Sequence, residues 1–269
     1  MDYGALVSDA ARYSKDALIG KPLTWLVFIV CALPFALINF LYDPKTLVSA
    51  TGEFRWATIP WTQIALLCIV GLLLSFVVSG YIVRIFRGTP QPPTFDSFGA
   101  LYLDGIKLFV IALVWMIPAL VIMIASFVMI VLGAMSGAGS MGTMMTAGFL
   151  LLMIGLIVLV ITLIYAYIGC VRFARTGSMR EAFRISALTG TIQAIGWGAY
   201  ILALIIVAVL IVLFGLIISL LALIPLVGWL IQIILQPLVQ VFSARYIARV
   251  YDHSVPLAPA PSPEPAAMG

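Results

Sequence analysis

Residues 197–244 read WGAYILALIIVAVLIVLFGLIISLLALIPLVGWLIQIILQPLVQVFSA and contain no Asp, Glu, Lys or Arg. A helix needs about 20 apolar residues to cross the hydrocarbon core of a bilayer, so this run is too long for one span. Pro225 and Gly228 favour a turn in its middle, and Trp229 is typical of an interfacial anchor. We therefore predict a hairpin of two spans, at 197–221 and 227–248.

The rest of the chain has a similar composition. Hydrophobic residues make up 64% of it and charged residues only 9%, whereas soluble domains have about 45–50% and about 25%. Four further apolar segments predict spans at 22–41, 61–83, 106–131 and 148–171. We predict an all-α polytopic membrane protein with six transmembrane helices in a single domain, 1–253, and a disordered Pro/Ala-rich tail at 254–269.

The first apolar segment begins at Pro22, behind a charged lead, and other spans follow it. This order favours a start-transfer helix over a cleaved signal peptide.

Lysine and arginine in the connections predict the orientation. Only Lys45 and Arg55 of the 14 lie in the outer loops, and the other twelve fall on one side of the predicted bundle. Those twelve are Arg12, Lys15, Lys21, Arg84, Arg87, Lys107, Arg172, Arg175, Arg180, Arg184, Arg245 and Arg249. We therefore expect both termini to be cytoplasmic in a cell-membrane protein, and we interpret the net charge of +4 as a topology signal and not as a nucleic-acid-binding surface.

A sequence pattern recurs three times at a displacement of 85 residues. An aromatic residue is followed five residues later by Leu and seven residues later by Gly, in the sets Tyr13, Leu18, Gly20; Phe98, Leu103, Gly105; and Phe183, Leu188, Gly190. The pattern predicts three hairpin repeats, at about 1–85, 86–172 and 173–253. Repeats with two spans each keep the same orientation, so we expect them to surround a pseudo-threefold axis along the membrane normal.

Each repeat is expected to begin with a short cytoplasmic amphipathic helix that ends at the glycine. In the first repeat Leu6, Ala10, Tyr13 and Ala17 recur at helical spacing. Such a helix is typical of the membrane interface, with its apolar face towards the lipid.

Arginines mark the ends of all three hairpins. Arginine close to a membrane surface can bind phosphate headgroups, although the topology alone also explains arginine at these positions. The candidate lipid-headgroup contacts are Arg84, Arg87, Arg172, Arg175, Arg245 and Arg249.

Gln232, Gln236 and Gln240 form the most polar feature inside a predicted span. Their spacing of four places them on one helical face, beside Pro237. This face must contact protein or water, because an amide in lipid has no partner. As a structural device it would bond to neighbouring helices; as a functional one it would line a polar pathway or hold a lipid headgroup.

The sequence contains few of the groups that chemistry requires. No ionisable residue lies in the middle of a span, which argues against an ion-coupled pump. There is no HExxH or GxSxG motif and a single His, so we expect no catalytic residue, no metal site and no cofactor. Cys31, Cys68 and Cys170 are interpreted as small apolar fillers.

Four acidic and basic residues near the cytoplasmic ends are given structural roles. Asp96 and Glu181 are interpreted as helix-start residues. Asp104 and Lys107, three residues apart at the mouth of the third span, are predicted to form a local ion pair.

Two segments carry a resemblance to a known family: GYIVRIFRGTPQPPTFDSFGALYLDGIKLFV at 80–110 and LIPLVGWLIQIILQPLVQVFSARYIARVYD at 223–252. With them the chain, from Asp2 to about Asp252, resembles the archaeal membrane family known as domain of unknown function 4013, common in methanogens. That family is in turn similar to bacterial multi-pass families, among them the membrane domain attached to some glycerophosphodiesterases. The resemblance implies location and architecture and supplies no catalytic or ligand residues.

Two functions fit these observations. The first is a non-enzymatic multi-pass protein that engages lipid or organises the membrane, with membrane lipids as its partners. The alternative is a passive or facilitated permease for a small solute, with a path near the sixth span. A homo-oligomer, a subunit of a larger membrane complex and an unrecognised enzyme are the remaining hypotheses.

Overall fold

The computed structural model describes residues 1–38, 41, 56–136, 138–224 and 227–254, without the side chains of 138–141. The described part is helical and has no strand. Its α-helices are α1 (Tyr3–Leu18), α2 (Pro22–Ile38), α3 (Trp61–Phe86), α4 (Phe98–Met135), α5 (Ala138–Thr176), α6 (Ile185–Ile195), α7 (Trp197–Ala222) and α8 (Gly228–Asp252). Short 3-10 turns occupy Trp56–Thr58 and Met179–Phe183.

Among the described residues, five helices are long and apolar enough to cross a membrane: α3, α4, α5 from Gly142 onward, α7 and α8. The helices α1 and α2 make a sixth candidate if they are counted together, although they meet at an angle of 88°. The prediction of a polytopic all-α membrane protein is therefore confirmed. The count of six and the threefold repeat stay predictions.

The helix α1 begins as its sequence suggests, because the Asp2 carboxylate accepts a hydrogen bond from the Ala5 N–H at 3.0 Å. Its apolar face was expected to rest on lipid. Leu6, Ala10 and Tyr13 are instead buried by protein, chiefly by the last turns of α8. The face is covered by the chain itself because the last turns of α8 carry buried apolar residues that pack beside α1.

The expected break at Gly105 is wrong, since α4 continues through it without interruption. A Cβ at Gly105 would lie 1.8 Å from the carbonyl oxygen of Phe76 in α3. This glycine therefore allows two helices to touch and does not end one. In the third repeat the break lies at Gly196, whose φ of 93° suits glycine, and not at Gly190, which lies inside α6.

The packed core lies at the arginine-bearing end of the bundle. It contains the last turns of α3, α5 and α8, closed by α1 and α6, with large side chains that are almost completely buried, among them Tyr81, Phe173, Leu188, Tyr200 and Tyr246. In the most apolar window of α8, 44% of residues are buried, against 11% in α4 and in α7. The helix α8 is therefore the central element, and the outer halves of the other spans present apolar surface that suits lipid.

Some predictions lie outside the described residues. These are the outer-loop charges Lys45 and Arg55, the turn residue Pro225, and the tail beyond Ser254.

Candidate functional site

The glutamine stripe of α8 faces a cleft. Gln232, Gln236 and Gln240 line one wall of a cavity of about 650 Å³ enclosed mainly by α2, α3 and α8. This volume lies within the range of about 300–1,000 Å³ that ligand pockets occupy. The sequence predicted that the three amides share a face, and in the structure that face lines the cavity.

The opposite walls are largely apolar. The helix α2 contributes Phe28, Cys31, Ala32, Phe35 and Ala36, and α3 contributes Ser75, Val78, Ser79, Ile82 and Phe86. Leu108 of α4 and Tyr167 of α5 each add one side chain. The indole N–H of Trp25 donates to the carbonyl oxygen of Ile234 at 2.8 Å, which ties α2 to α8 beside the cleft.

The cleft is long, and buried side chains line its end nearest the arginines. Its lining on α8 runs from Trp229 to Ile247, a rise of about 27 Å along the helix, close to the hydrocarbon thickness of about 30 Å. Gln232 and Gln236 are exposed, whereas Ala244 and Ile247 are buried. The cleft therefore ends among the buried side chains of the packed core.

The cleft carries polar groups but no charge, because none of its lining residues is Asp, Glu, Lys, Arg or His. Ser75 donates its hydroxyl proton to the carbonyl oxygen of Leu72 at 2.7 Å, and Ser243 donates to that of Val239 at 2.7 Å. The Oε1 atom of Gln240 is buried and accepts no hydrogen bond. The cleft therefore holds a buried oxygen acceptor, at Gln240, that has no donor.

The six candidate arginines lie at the end of the bundle that holds the packed core, and each has a carboxylate partner. Arg84 pairs with Asp96, and Arg172 pairs with Glu181 at 2.6 Å. The remaining pairs are Arg87 with Asp104, Arg175 with Asp252, and both Arg245 and Arg249 with Asp9. These arginines were predicted to bind lipid headgroups, but in the structure each of them is already paired with a carboxylate of the chain.

We call the six arginines and their carboxylate partners the arginine ring. The arginine at the end of α3 binds an acid in the segment before α4, and the arginine at the end of α5 binds an acid in the segment before α6. At the end of α8, Arg245 and Arg249 bind Asp9 of α1. The chain's last hairpin is thereby joined to its first helix.

Arg245 is the most buried member of the ring, with 5% of its side chain exposed. Its guanidinium donates to Asp9 at 2.9 Å and to the carbonyl oxygen of Thr89 at 2.9 Å. It also lies 4.3 Å from the centre of the Tyr13 ring, a cation–π distance. One side chain thus connects α1, the α3–α4 loop and α8.

One interpretation of the acidic residues needs an addition and one needs correction. Asp96 directly precedes the N-cap of α4 and Glu181 lies in the first turn of Met179–Phe183, as helix-start residues would, and both also bind an arginine. Asp104 binds Arg87 of the preceding helix at 2.5 Å and not Lys107, because the crossing of α3 over α4 brings the two chain segments together.

The ring lowers the pKa of three carboxyl groups, those of Asp9, Asp96 and Glu181. Burial raises the pKa of Asp9, but the hydrogen bonds and charges of Arg245 and Arg249 outweigh this effect and leave it below its usual value. Hydrogen bonding from Arg84 lowers the pKa of Asp96, and hydrogen bonding from Arg172 lowers that of Glu181.

These shifts predict how stability depends on pH. A carboxyl group with a lowered folded-state pKa stabilises the protein fully above its unfolded pKa of about 4 and loses that contribution as the pH falls through the folded value. We expect the apparent Tm in one detergent to be level from about pH 7 to pH 5 and to fall below about pH 4. Asp9→Asn should lower the plateau and reduce the acid fall, whereas a decline centred near pH 6 in both proteins would contradict this account.

Sequence reasoning did not predict all the residues that form the cleft and the arginine ring. For the cleft it missed the walls from α2 and α3, because the apolar residues of these helices do not form a distinctive face. For the ring it missed Asp9 and Asp252 as partners. The placement of Asp96 and Glu181 two residues before the repeated aromatic was a usable signal, because it put acids opposite the arginine ends.

In the described part of the chain, no three His, Cys, Asp or Glu side chains lie together as a metal ion would require.

Comparison with known proteins gives one match. A family model described as "Protein of unknown function (DUF4013)" matches residues 63–223, from α3 to the end of α7. No curated protein and no solved structure matches the chain.

Proposed function

We propose that this chain, which belongs to the DUF4013 family of proteins of unknown function, is a non-enzymatic cell-membrane protein that binds a lipid in the cleft between α2, α3 and α8. The observation that carries the proposal is the glutamine stripe facing a ligand-sized cavity. The arginine ring lies at the cytoplasmic face, with both termini on that side, as the distribution of Lys and Arg supports.

The lining of the cleft suits an amphiphile. Phe28, Phe35, Val78 and Ile82 offer apolar surface for a hydrocarbon chain, which gains roughly 25 cal/mol per Å² of apolar surface buried. The amides on α8 offer hydrogen bonds at a depth where lipid offers none. An unpaired amide in apolar surroundings costs about 1–3 kcal/mol on protein-based scales, so a ligand that bonds to it is stabilised.

The cleft is a better lipid site than the arginines. Of the six candidate arginines, only Arg87 and Arg249 keep more than 40% of their side chains exposed, and both are already in ion pairs. A headgroup that binds there has to compete with a carboxylate held in place by the fold.

Filling the cleft should remove the lipid. Ala36 lines the cleft on α2, so we expect Ala36→Trp to occupy much of the volume. Native mass spectrometry of the gently solubilised protein should show co-purifying lipid on the wild type and little on this variant.

Ala125→Trp is the matched control, because Ala125 lies in α4 and is exposed. It should retain lipid like the wild type. Lipid that persists on Ala36→Trp, or a wild type without lipid, would contradict a lipid site in the cleft.

A passive permease is the second candidate. It is favoured by the length of the cleft along α8, which approaches the thickness of the apolar layer. A solute can cross only if the buried inner end, at Phe86, Ala244 and Ile247, opens. Glycerol entry into proteoliposomes that is faster than into protein-free vesicles, and slowed by Ala36→Trp, would favour this function.

A further inference from the structure

We infer that the cleft selects an amphiphile whose polar head is uncharged and carries hydroxyl donors, and that it rejects lipids with a phosphate. The inference rests on the proposed function, since it names the class of lipid that the cleft binds. Three features of the cleft carry it: its lack of charge, the engagement of the nearby arginines, and a buried hydrogen-bond acceptor that has no donor.

The first feature is the lining. No charged residue contributes to the cleft, and its depth falls within the apolar layer. A phosphate placed there would lose its hydration and find no counter-charge, which is strongly unfavourable in a low dielectric. A neutral head avoids this desolvation.

The second feature is the position of the arginines. Arg245 is the cationic residue of α8 that directly follows the cleft-lining Ser243 and Ala244, but its guanidinium is directed to Asp9, Thr89 and Tyr13. With 5% of its side chain exposed, it does not present charge to the cleft. The cation that follows the lining residues on α8 is therefore used by the ring.

The third feature is a buried acceptor that has no donor. The Oε1 atom of Gln240 is buried without a donor, and the hydroxyl protons of Ser75 and Ser243 are bound to carbonyl oxygens of their own helices. A phosphodiester or an ester offers only acceptors, whereas a hydroxyl group also donates. The terminal torsion of glutamine is broad, so the Gln240 amide can turn to meet a hydroxyl that enters the cleft.

The test is a competition between two lipids that differ by one group. The purified, delipidated protein is offered equal amounts of dioleoylglycerol and dioleoylphosphatidylmethanol, an anionic phosphodiester without a hydroxyl group, in the same detergent, and native mass spectrometry measures how much of each lipid it retains. We expect the wild type to prefer dioleoylglycerol by about tenfold, a ratio that corresponds to 1.4 kcal/mol. Equal retention, or a preference for the phosphate lipid, would overturn the inference.

Three variants assign the selectivity to the stripe. Gln240→Leu should lower dioleoylglycerol retention several-fold, and Gln236→Lys should shift the preference towards the phosphate lipid because it places a cation in the cleft. Gln193→Leu is the control, since Gln193 is exposed on α6 outside the cleft. If Gln240→Leu does not fold, Gln236→Lys at an exposed position still provides the readout, and an unchanged preference in it would overturn the inference.

The outcomes separate this inference from the proposed function. If both lipids are retained equally and both are lost from Ala36→Trp, the cleft binds lipid and the selectivity proposed here is wrong. If neither lipid binds, or if Ala36→Trp binds as the wild type does, the proposed function itself is wrong.

Discussion

Replacing Arg245 by alanine is expected to lower the free energy of unfolding by about 2–3 kcal/mol, the largest effect of any substitution in the arginine ring. Removing one member of a buried ion pair typically costs about 3–5 kcal/mol. We expect a loss at or below the low end of this range because the Asp9 side chain is 33% exposed. The substitution leaves Asp9 with its weaker partner and also removes the donor to Thr89 and the cation over Tyr13. Thermal unfolding in a single detergent, followed by circular dichroism, measures the change.

Arg249→Ala is the matched control. Arg249 binds the same carboxylate of Asp9 at 3.1 Å but keeps 42% of its side chain exposed. An exposed pair of this kind contributes about 0–1 kcal/mol, so the variant should unfold close to the wild type. Equal losses in the two variants would mean that the ring acts through net charge and not through the buried geometry of Arg245.

The spans were predictable because they depend only on the length and composition of a continuous stretch of sequence. A charge-free run of sufficient length has few alternatives to the bilayer, and each predicted span from 61–83 onward falls within a helix or largely overlaps one. The ends were not predictable from hydropathy. The predicted span 106–131 begins just before Lys107, whereas α4 begins at Phe98, because a helix can continue into the headgroup layer where charges are hydrated.

Neighbouring helices were harder to predict. The glutamine stripe follows from a spacing of four, but nothing in α2 marks the face that looks onto it, since that helix is apolar on all sides. The Asp9 partner of Arg245 lies 236 residues away along the chain, a separation that no local periodicity encodes. The threefold pattern marked the arginine ends but did not identify Asp9 as the acid that Arg245 binds.

Glycine was misinterpreted for a related reason. From sequence, Gly105 fits a helix break because glycine is flexible and follows the repeated Leu. Its lack of a side chain serves a contact between helices instead, which is visible only when α3 lies beside α4.

That contact leads to the second large effect, which we expect for Gly80→Ala. A Cβ at Gly80 would lie 1.9 Å from the carbonyl oxygen of Leu101, and this backbone atom can move only if the two helices separate. Overpacking of this kind costs about 1–3 kcal/mol and occasionally more; we expect about 3 kcal/mol because the obstacle is backbone. The apparent Tm and the yield of folded protein should both fall.

Gly99→Ala tests whether the effect comes from the close approach. Gly99 lies in the first turn of α4 with no heavy atom within 4 Å of a Cβ, so alanine should be neutral or should stabilise the helix by up to about 1 kcal/mol. Opposite signs for the two glycines would locate the sensitivity in the α3–α4 crossing, and a similar response in both would contradict it. Because α3 also supplies Ser75 and Ser79 to the cleft, Gly80→Ala should reduce lipid retention as well, which would link the packing of this crossing to the binding site on the other face of the same helix.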